Sequence, residues 1–251
     1  QEQVDDYLPA FEPQQLLDPS DPLTIGAMVG PEAFMEVKYL MHAKQLEALD
    51  AIPAIAADFE RDLDRVKHSR PWRRLAGKCQ VFIAPEDDHL RTRLTHALEV
   101  AQVARSVATA LGLNVALTEA IALGHDCGHG PGGHASEDAL SPYVPGGYDH
   151  AVWGADVTLV PLNLCAETLD GIRHHSWSLP APQTPEGEVV SWADRIAYVC
   201  HDFEDAVAAG ILSTDMLPKI VAERCGRDRS SQLGTFIRAM ITATTQTGRI
   251  G

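Results

Sequence analysis

The sequence predicts an all-α protein, a helical bundle with at most a short β element. Three observations predict it. Apolar residues recur near every 3.6 positions through most of the 251 residues. Helix-starting Thr and Pro and helix-ending Gly punctuate those runs. One run alone, "KCQVFIAP", is β-like, and the connections are too short for a parallel sheet.

In order along the chain, the first thirty residues are rich in Pro and Asp and read as loop with short turns. From Pro31, "PEAFMEVKYLMHAKQLEAL" has a proline in its first turn and helical apolar spacing. "IPAIAADFERDLDRVKHS" is a second helix, and "KCQVFIAP" a single edge strand. "RLTHALEVAQVARSVATALG" is a strong helix ending at Gly112. "TEAIALGHD" is a helix starting at Thr118, a good N-cap. "SPYVPGGYD" is loop, "NLCAETLDGIRHHS" helix, and "LPAPQTPEG" a Pro-rich loop. "EVVSWADRIAYVCHDFEDAVAAG" is a long helix closed by Gly210; "TDMLPKIVAER" and "SSQLGTFIRAMITATT" are two more. Trp153 and Trp192 read as core. There is no internal repeat.

With 45% hydrophobic and 22% charged residues the chain can bury a substantial core. No apolar run reaches the roughly 18 residues of a membrane span. The N-terminus lacks the apolar segment of a secretory signal. A net charge of −15 gives no general attraction for duplex nucleic acid or an anionic membrane. An anionic substrate would need local positive charge, from a metal or a few placed arginines. The five cysteines are odd in number and never at C-x-x-C spacing, so we expect a reducing, cytoplasmic setting without a disulfide framework or zinc finger.

The densest chemistry lies in "GHDCGHGPGGHASED", where three histidines and three carboxylates crowd beside glycines. His96 sits in a helix above Val100, Val103 and Val107, and so points into an apolar face. His125 and Asp126 end an apolar helix. Asp194 lies in the mostly apolar "VVSWADRIAYV", where an unpaired carboxylate costs several kcal/mol. Two imidazoles and two carboxylates on three helices account for one another if they share one divalent metal ion. Nitrogen and carboxylate donors suit Mn, Fe, Co, Ni or Zn, with Mg also compatible.

The H…HD…D pattern resembles that of the HD-domain phosphohydrolases. The text around it resembles the deoxynucleoside triphosphate triphosphohydrolases, the dGTPase-like branch. "DFERDLDRVKHSRPWRRLAGKCQVF", "RTRLTHALEVAQVARSVA", "AIALGHDCGHGPGGHASED", "GGYDHAVWGADV", "LNLCAETLDGIRHH" and "WADRIAYVCHDFEDAVAAG" carry the resemblance in collinear order. It implies an HD domain over 58–251 behind an N-terminal extension, 1–57, of loop then helix.

The resemblance implies metal binding by His96, His125, Asp126 and Asp194, and a phosphate contact by Arg93. His129 and His134 match further active-site histidines. Glu137 matches the carboxylate that orients a catalytic histidine, and His150 a histidine near the triphosphate. Arg195 matches a cationic phosphate contact; Tyr198 and Asp202 match residues that hold the deoxyribose. Spacing agrees, since Asp194, Tyr198 and Asp202 are i, i+4 and i+8 on one helical stripe. The implied reaction is dNTP plus water giving deoxynucleoside and inorganic triphosphate. His134 would position or deprotonate the water, and His129 or His150 would assist protonation or phosphate binding. Acid and base are not assigned among them. His174 and His175 read as a helix-end hydrogen-bonding pair, a second metal being the alternative. His201 is expected to face away from the site. The implied partner is a small-molecule nucleotide, and the implied assembly a homo-oligomer.

Several features depart from the family. "GHGPGGH" stands where members commonly have "GHPPFGH", so Gly130 and Gly132 replace a proline and an aromatic. Ala151 follows His150 where a polar residue is common. Members usually continue beyond the point matching Gly251 with helices that complete the base pocket and the oligomer. Base preference therefore stays open. So do two other functions: a different HD phosphohydrolase (a 5′-nucleotidase or a modified-nucleotide phosphohydrolase), or a non-catalytic nucleotide-binding regulatory subunit.

Overall fold

A computed structural model describes residues 57–83 and 89–251, which fall within one unit, Ala56–Gly251. The expected loop over 1–30, the helix from Pro31 and the start of the next helix lie outside the described residues. Among the described residues the structure is helical, without a sheet. Its elements are α1 (57–68), α2 (Arg70–Arg74), α3 (Arg93–Leu111), α4 (Val115–Gly124), α5 (His134–Leu140), α6 (His150–Trp153), α7 (Ala166–Arg173), α8 (Pro185–Ala208), α9 (Lys219–Cys225) and α10 (Arg229–Thr247). A π-helical turn, Gly154–Thr158, follows α6.

Helix α3 is central. Thr92 and Thr95 form a reciprocal capping box at its start, and Gly112 ends it in the left-handed conformation at φ 72°. His96, Val100, Val103 and Val107 are buried together as the sequence predicts, beside four buried alanines. Those small side chains let α4 and α8 approach closely, and both pack on α3. The core continues through Ile121, Leu123, Leu159, Ile172 and Val189, all essentially inaccessible. Helix α10 covers α3 and α8, with Met240 reaching the core.

Polar side chains fix the frame. Asp62 of α1 accepts from the Cys165 amide and the Thr168 hydroxyl, both at 2.7 Å, and so caps α7. Arg91 precedes α3 and bonds Glu99 and Glu204 at 2.7 Å each, and also Asp205. It ties the start of α3 to the C-terminal half of α8. His201 turns toward this network, 3.1 Å from Glu99, and faces away from the site as expected.

Five expectations are corrected. Helix α4 starts at Val115: Asn114 caps it, accepting from the Leu117 amide at 3.0 Å, and Thr118 lies inside, donating to the Asn114 carbonyl. "KCQVF" forms no strand, only an isolated bridge between Cys79 and Thr92, because the Cys79 amide is taken by the Pro131 carbonyl. Helix α8 begins at Pro185, within the expected loop, since Thr184 caps it and proline suits the first turn. "TDMLPKIVAER" is broken by Pro218 into a 3₁₀ turn and α9. Trp153 and Trp192 are partly buried rather than enclosed. No helix among the described residues is long and apolar enough to cross a membrane.

Candidate active site

His96, His125, Asp126 and Asp194 arrive from α3, the end of α4 and α8. The His96 Nε2 lies 2.9 Å from Asp194 Oδ1; the His125 Nε2 lies 3.3 Å from Asp126 Oδ1 and 3.6 Å from Asp194 Oδ1. His125 is wholly buried. Its Nδ1 donates to the Ala122 carbonyl at 2.7 Å, which leaves the Nε2 lone pair aimed at carboxylate oxygens with no hydrogen-bond partner. Two sets of lone pairs in a buried space repel unless a proton or a cation lies between them.

These donors fit a divalent ion. Ligand bonds of about 2.0–2.2 Å imply donor separations of roughly 2.8–3.6 Å in octahedral or tetrahedral sites. Ligand atoms of His96, His125 and Asp194 lie within 4.8 Å of one another, as do those of His125, Asp126 and His175. The expected quartet is thus two overlapping sets that share His125. Without a cation the charges hold each other. Burial depresses the His125 pKa, but Asp126 and Asp194 outweigh it and raise the group to about 9. Asp126 and Asp194 are held well below the usual carboxylate range: burial opposes this, but Arg93 and His125 win at Asp126, and His96 and His125 at Asp194.

Arg93 is buried and donates to Asp126 Oδ2 at 2.7 Å, while its Nε has no partner. The glycine segment exists to let these groups meet. Gly133 has φ 60°, and a Cβ there would lie 2.5 Å from Arg93 Nη2. A Cβ on Gly128 would lie 2.0 Å from the His150 carbonyl oxygen, so only glycine allows α6 this close. Lys78 pins the same segment by donating to the His129 carbonyl, and burial lowers its pKa.

Glu137 joins two histidines. Its Oε2 is 2.5 Å from His134 Nδ1, and its Oε1 is 2.6 Å from both the amide and Nδ1 of His150. The paired imidazoles hold Glu137 below the carboxylate range against the opposing effect of burial. The hydrogen bond to Glu137 raises the pKa of His134, whose side chain is 75% exposed and free at Nε2. His129 is buried, stacks on His150 at 3.6 Å, and is pushed down to about 4, chiefly by burial.

A cavity of about 380 Å³ connects these groups with Tyr198, Asp202, Arg195 and Trp177. The stripe of Asp194, Tyr198 and Asp202 lines it as the spacing predicts. Asp202 Oδ1 is buried with no hydrogen-bond partner, and burial pushes its pKa up to about 6. Arg195 donates to the Tyr198 hydroxyl at 2.7 Å and lies 4.1 Å over the Trp177 ring.

The HD domain family matches residues 93–199, a span that begins at Arg93, runs through the histidine cluster and includes Asp194 and Tyr198. The chain carries an HD domain. It is 48% identical over 193 residues to a deoxyguanosinetriphosphate triphosphohydrolase-like protein of Caldanaerobacter subterraneus subsp. tengcongensis, covering 74% of this chain and 57% of that relative. A Clostridium perfringens protein of the same description is 45% identical over 201 residues, covering 76% and 59%. One from Jannaschia sp. is 44% identical over 191 residues, covering 63% and 48%. The chain thus spans about three fifths of the length of the first curated relatives it matches.

Within this HD site, sequence reasoning missed Lys78 and Trp177 and left His175 between a helix-end hydrogen bond and a second metal. His175 makes the expected helix-end bond, Nδ1 to the Ile172 carbonyl at 2.7 Å, but its Nε2 faces inward, 3.1 Å from His150 Nε2. Burial, then the nearby His125 and His150, press its pKa to about 3. His174 turns away to Asp170. The adjacent "HH" pair was the available signal, because a turn must point two successive side chains in different directions. Lys78 and Trp177 gave no comparable signal.

Proposed function

We propose that this chain hydrolyses deoxynucleoside triphosphates to the deoxynucleoside and inorganic triphosphate, using residues 58–251 as an HD phosphohydrolase domain. The observation that carries the reading is one cavity lined by Arg93, metal-ligand candidates and the Glu137-linked histidines. The relatives' printed description supports it.

His96, His125, Asp126 and Asp194 would hold a divalent ion, which when bound supplies Lewis-acid polarisation of a phosphoryl oxygen and acidifies water. Arg93 is a fixed cation in a buried wall and binds a phosphate oxygen, with its partnerless Nε as an additional donor. Water adds at the α-phosphorus and the bond to the 5′-oxygen breaks. Glu137 raises the proton affinity of His134. This suits its Nε2 to protonating the departing 5′-oxygen rather than taking a proton from water. His129, kept neutral by burial, contributes a hydrogen bond rather than a charge. The same carboxylate orients His150, beside the polyphosphate.

Asp202 supports a deoxyribose. A buried oxygen without a partner is satisfied by a 3′-hydroxyl, and the Tyr198 ring crowds the 2′ carbon. Ribonucleotides and 2′,3′-dideoxynucleotides should be poor substrates. The acidic balance of −15 suits a small-molecule substrate rather than nucleic acid. A cytoplasmic homo-oligomer belongs to the same reading, and light scattering of the purified chain tests the assembly.

The experiment is incubation of metal-loaded protein with a panel of dNTPs, the products separated by chromatography. Deoxynucleoside and triphosphate in equal amounts are expected. Release of orthophosphate or pyrophosphate would replace this reading with another HD phosphohydrolase. Tight binding without products would make it a regulatory subunit.

A further inference from the structure

The reading above accounts for the phosphates and the sugar but leaves the base without a seat. We propose that Trp177, with Arg195 laid across it, is the platform on which the nucleobase of the substrate stacks. The inference rests on the proposed nucleotide substrate and deepens it.

Trp177 lies in the turn two residues beyond His175, on the same cavity as Asp194 and His134. The residue is 49% exposed, high for a residue type that is mostly covered in folded chains. Exposure does not make it loose. Arg195 lies 4.1 Å over the ring, and Trp192, itself packed on the core, meets it edge-on at 4.8 Å. A hydrogen bond of 2.7 Å to the Tyr198 hydroxyl fixes the guanidinium in turn. A rigid aromatic ring left half open on a cavity wall presents apolar area that a planar ligand can cover with little loss of side-chain entropy.

The rest of the wall sorts by chemistry. His96, Asp126, Asp194, Arg93 and the histidines around Glu137 are ionic or polar and suit a polyphosphate. Trp177, Tyr198 and Val81 are its apolar members. Arg195 is committed to the aromatic side: it stacks on one ring and bonds the hydroxyl of the other. A guanidinium held over an indole adds a second planar, weakly hydrated surface, and stacking of heteroaromatic rings on Trp and Arg is sequence-tolerant. The family resemblance gave Arg195 a phosphate contact; its observed partners put it with the base.

The test is calorimetric binding to the metal-loaded full chain with two probes. One is α-thio-dATP, whose sulfur slows turnover; the other is inorganic triphosphate, which has no base. Trp177→Ala should weaken α-thio-dATP by on the order of ten- to a hundredfold and leave inorganic triphosphate within about twofold. Trp177→Phe should recover most of the nucleotide affinity. Thermal melts check that the variants fold, and Trp177→Leu, which keeps apolar volume without a ring, replaces the alanine variant if it does not. Unchanged nucleotide binding in the ring-less variant overturns the platform, as does an equal loss for both probes. A parent that binds inorganic triphosphate but no nucleotide overturns the platform and the proposed function together. A parent that releases only orthophosphate, with a nucleotide-selective loss in Trp177→Ala, overturns the function and upholds the platform.

Discussion

Replacing Asp202 by Asn should make the protein more stable while damaging the proposed activity. The carboxylate is largely buried, its Oδ1 has no partner, and burial raises its pKa from the usual 3.8 to about 6. Holding it ionised in place therefore costs at most about 3 kcal/mol. The side chain is partly open to the cavity, and solvent screening brings the figure to about 1–2 kcal/mol. The sign follows from proton binding. The folded state binds the extra proton between about pH 4 and pH 6, so the parent gains stability as the pH falls through that window and loses it as the pH rises. The advantage of Asp202→Asn is full above about pH 6 and gone near pH 4. Melting curves of chelator-treated protein across this range should show the variant about 2–8 °C higher at pH 8, converging with the parent in acid. Its turnover of dNTPs, with metal restored, should fall. Equal melting at pH 8, or a difference that ignores pH, would refute the idea that the fold keeps an unsatisfied carboxylate for a ligand.

Three further outcomes are expected. Asp194→Ala should lose the metal that elemental analysis finds in parent protein grown in metal-supplemented medium; a metal-free parent sinks the ligand assignment. His134→Ala and Glu137→Ala should each retain metal and lose roughly a hundredfold or more in turnover, whereas normal turnover in both would move the role to His129 or His150. Gly128→Ala sets a methyl 2.0 Å from the His150 carbonyl oxygen, so backbone must move. It should cost about 3 kcal/mol or more, read as a lowered melting temperature, and an unchanged melt would contradict the close approach of α6.

Much of the fold was legible because local signals agreed with the final packing. Gly112 and the Val100–Val103–Val107 face marked α3, and the structure bears both out. The failures came where a distant partner decided. "KCQVF" has strand composition, but the Cys79 amide pairs with Pro131 fifty-two positions away. Asn114 outcompetes Thr118 as a cap because the Glu186 side chain, from α8, secures the Asn114 amide. In the site, the family resemblance named Asp194, Tyr198 and Asp202, and helical spacing put them on one stripe. His175 and Trp177 had no such spacing to place them, because they lie in a turn, where no period relates one side chain to the next.

Glu137 gives each of its two oxygens to a different imidazole. His134 and His150 are therefore not two independently placed rings that happen to share a cavity. Each holds one oxygen of the same carboxylate, so the plane in which Glu137 lies is set by both at once. Replacing one histidine will free the oxygen it held, let the carboxylate turn and disturb the orientation of its neighbour, even where the two imidazoles never hydrogen-bond each other directly.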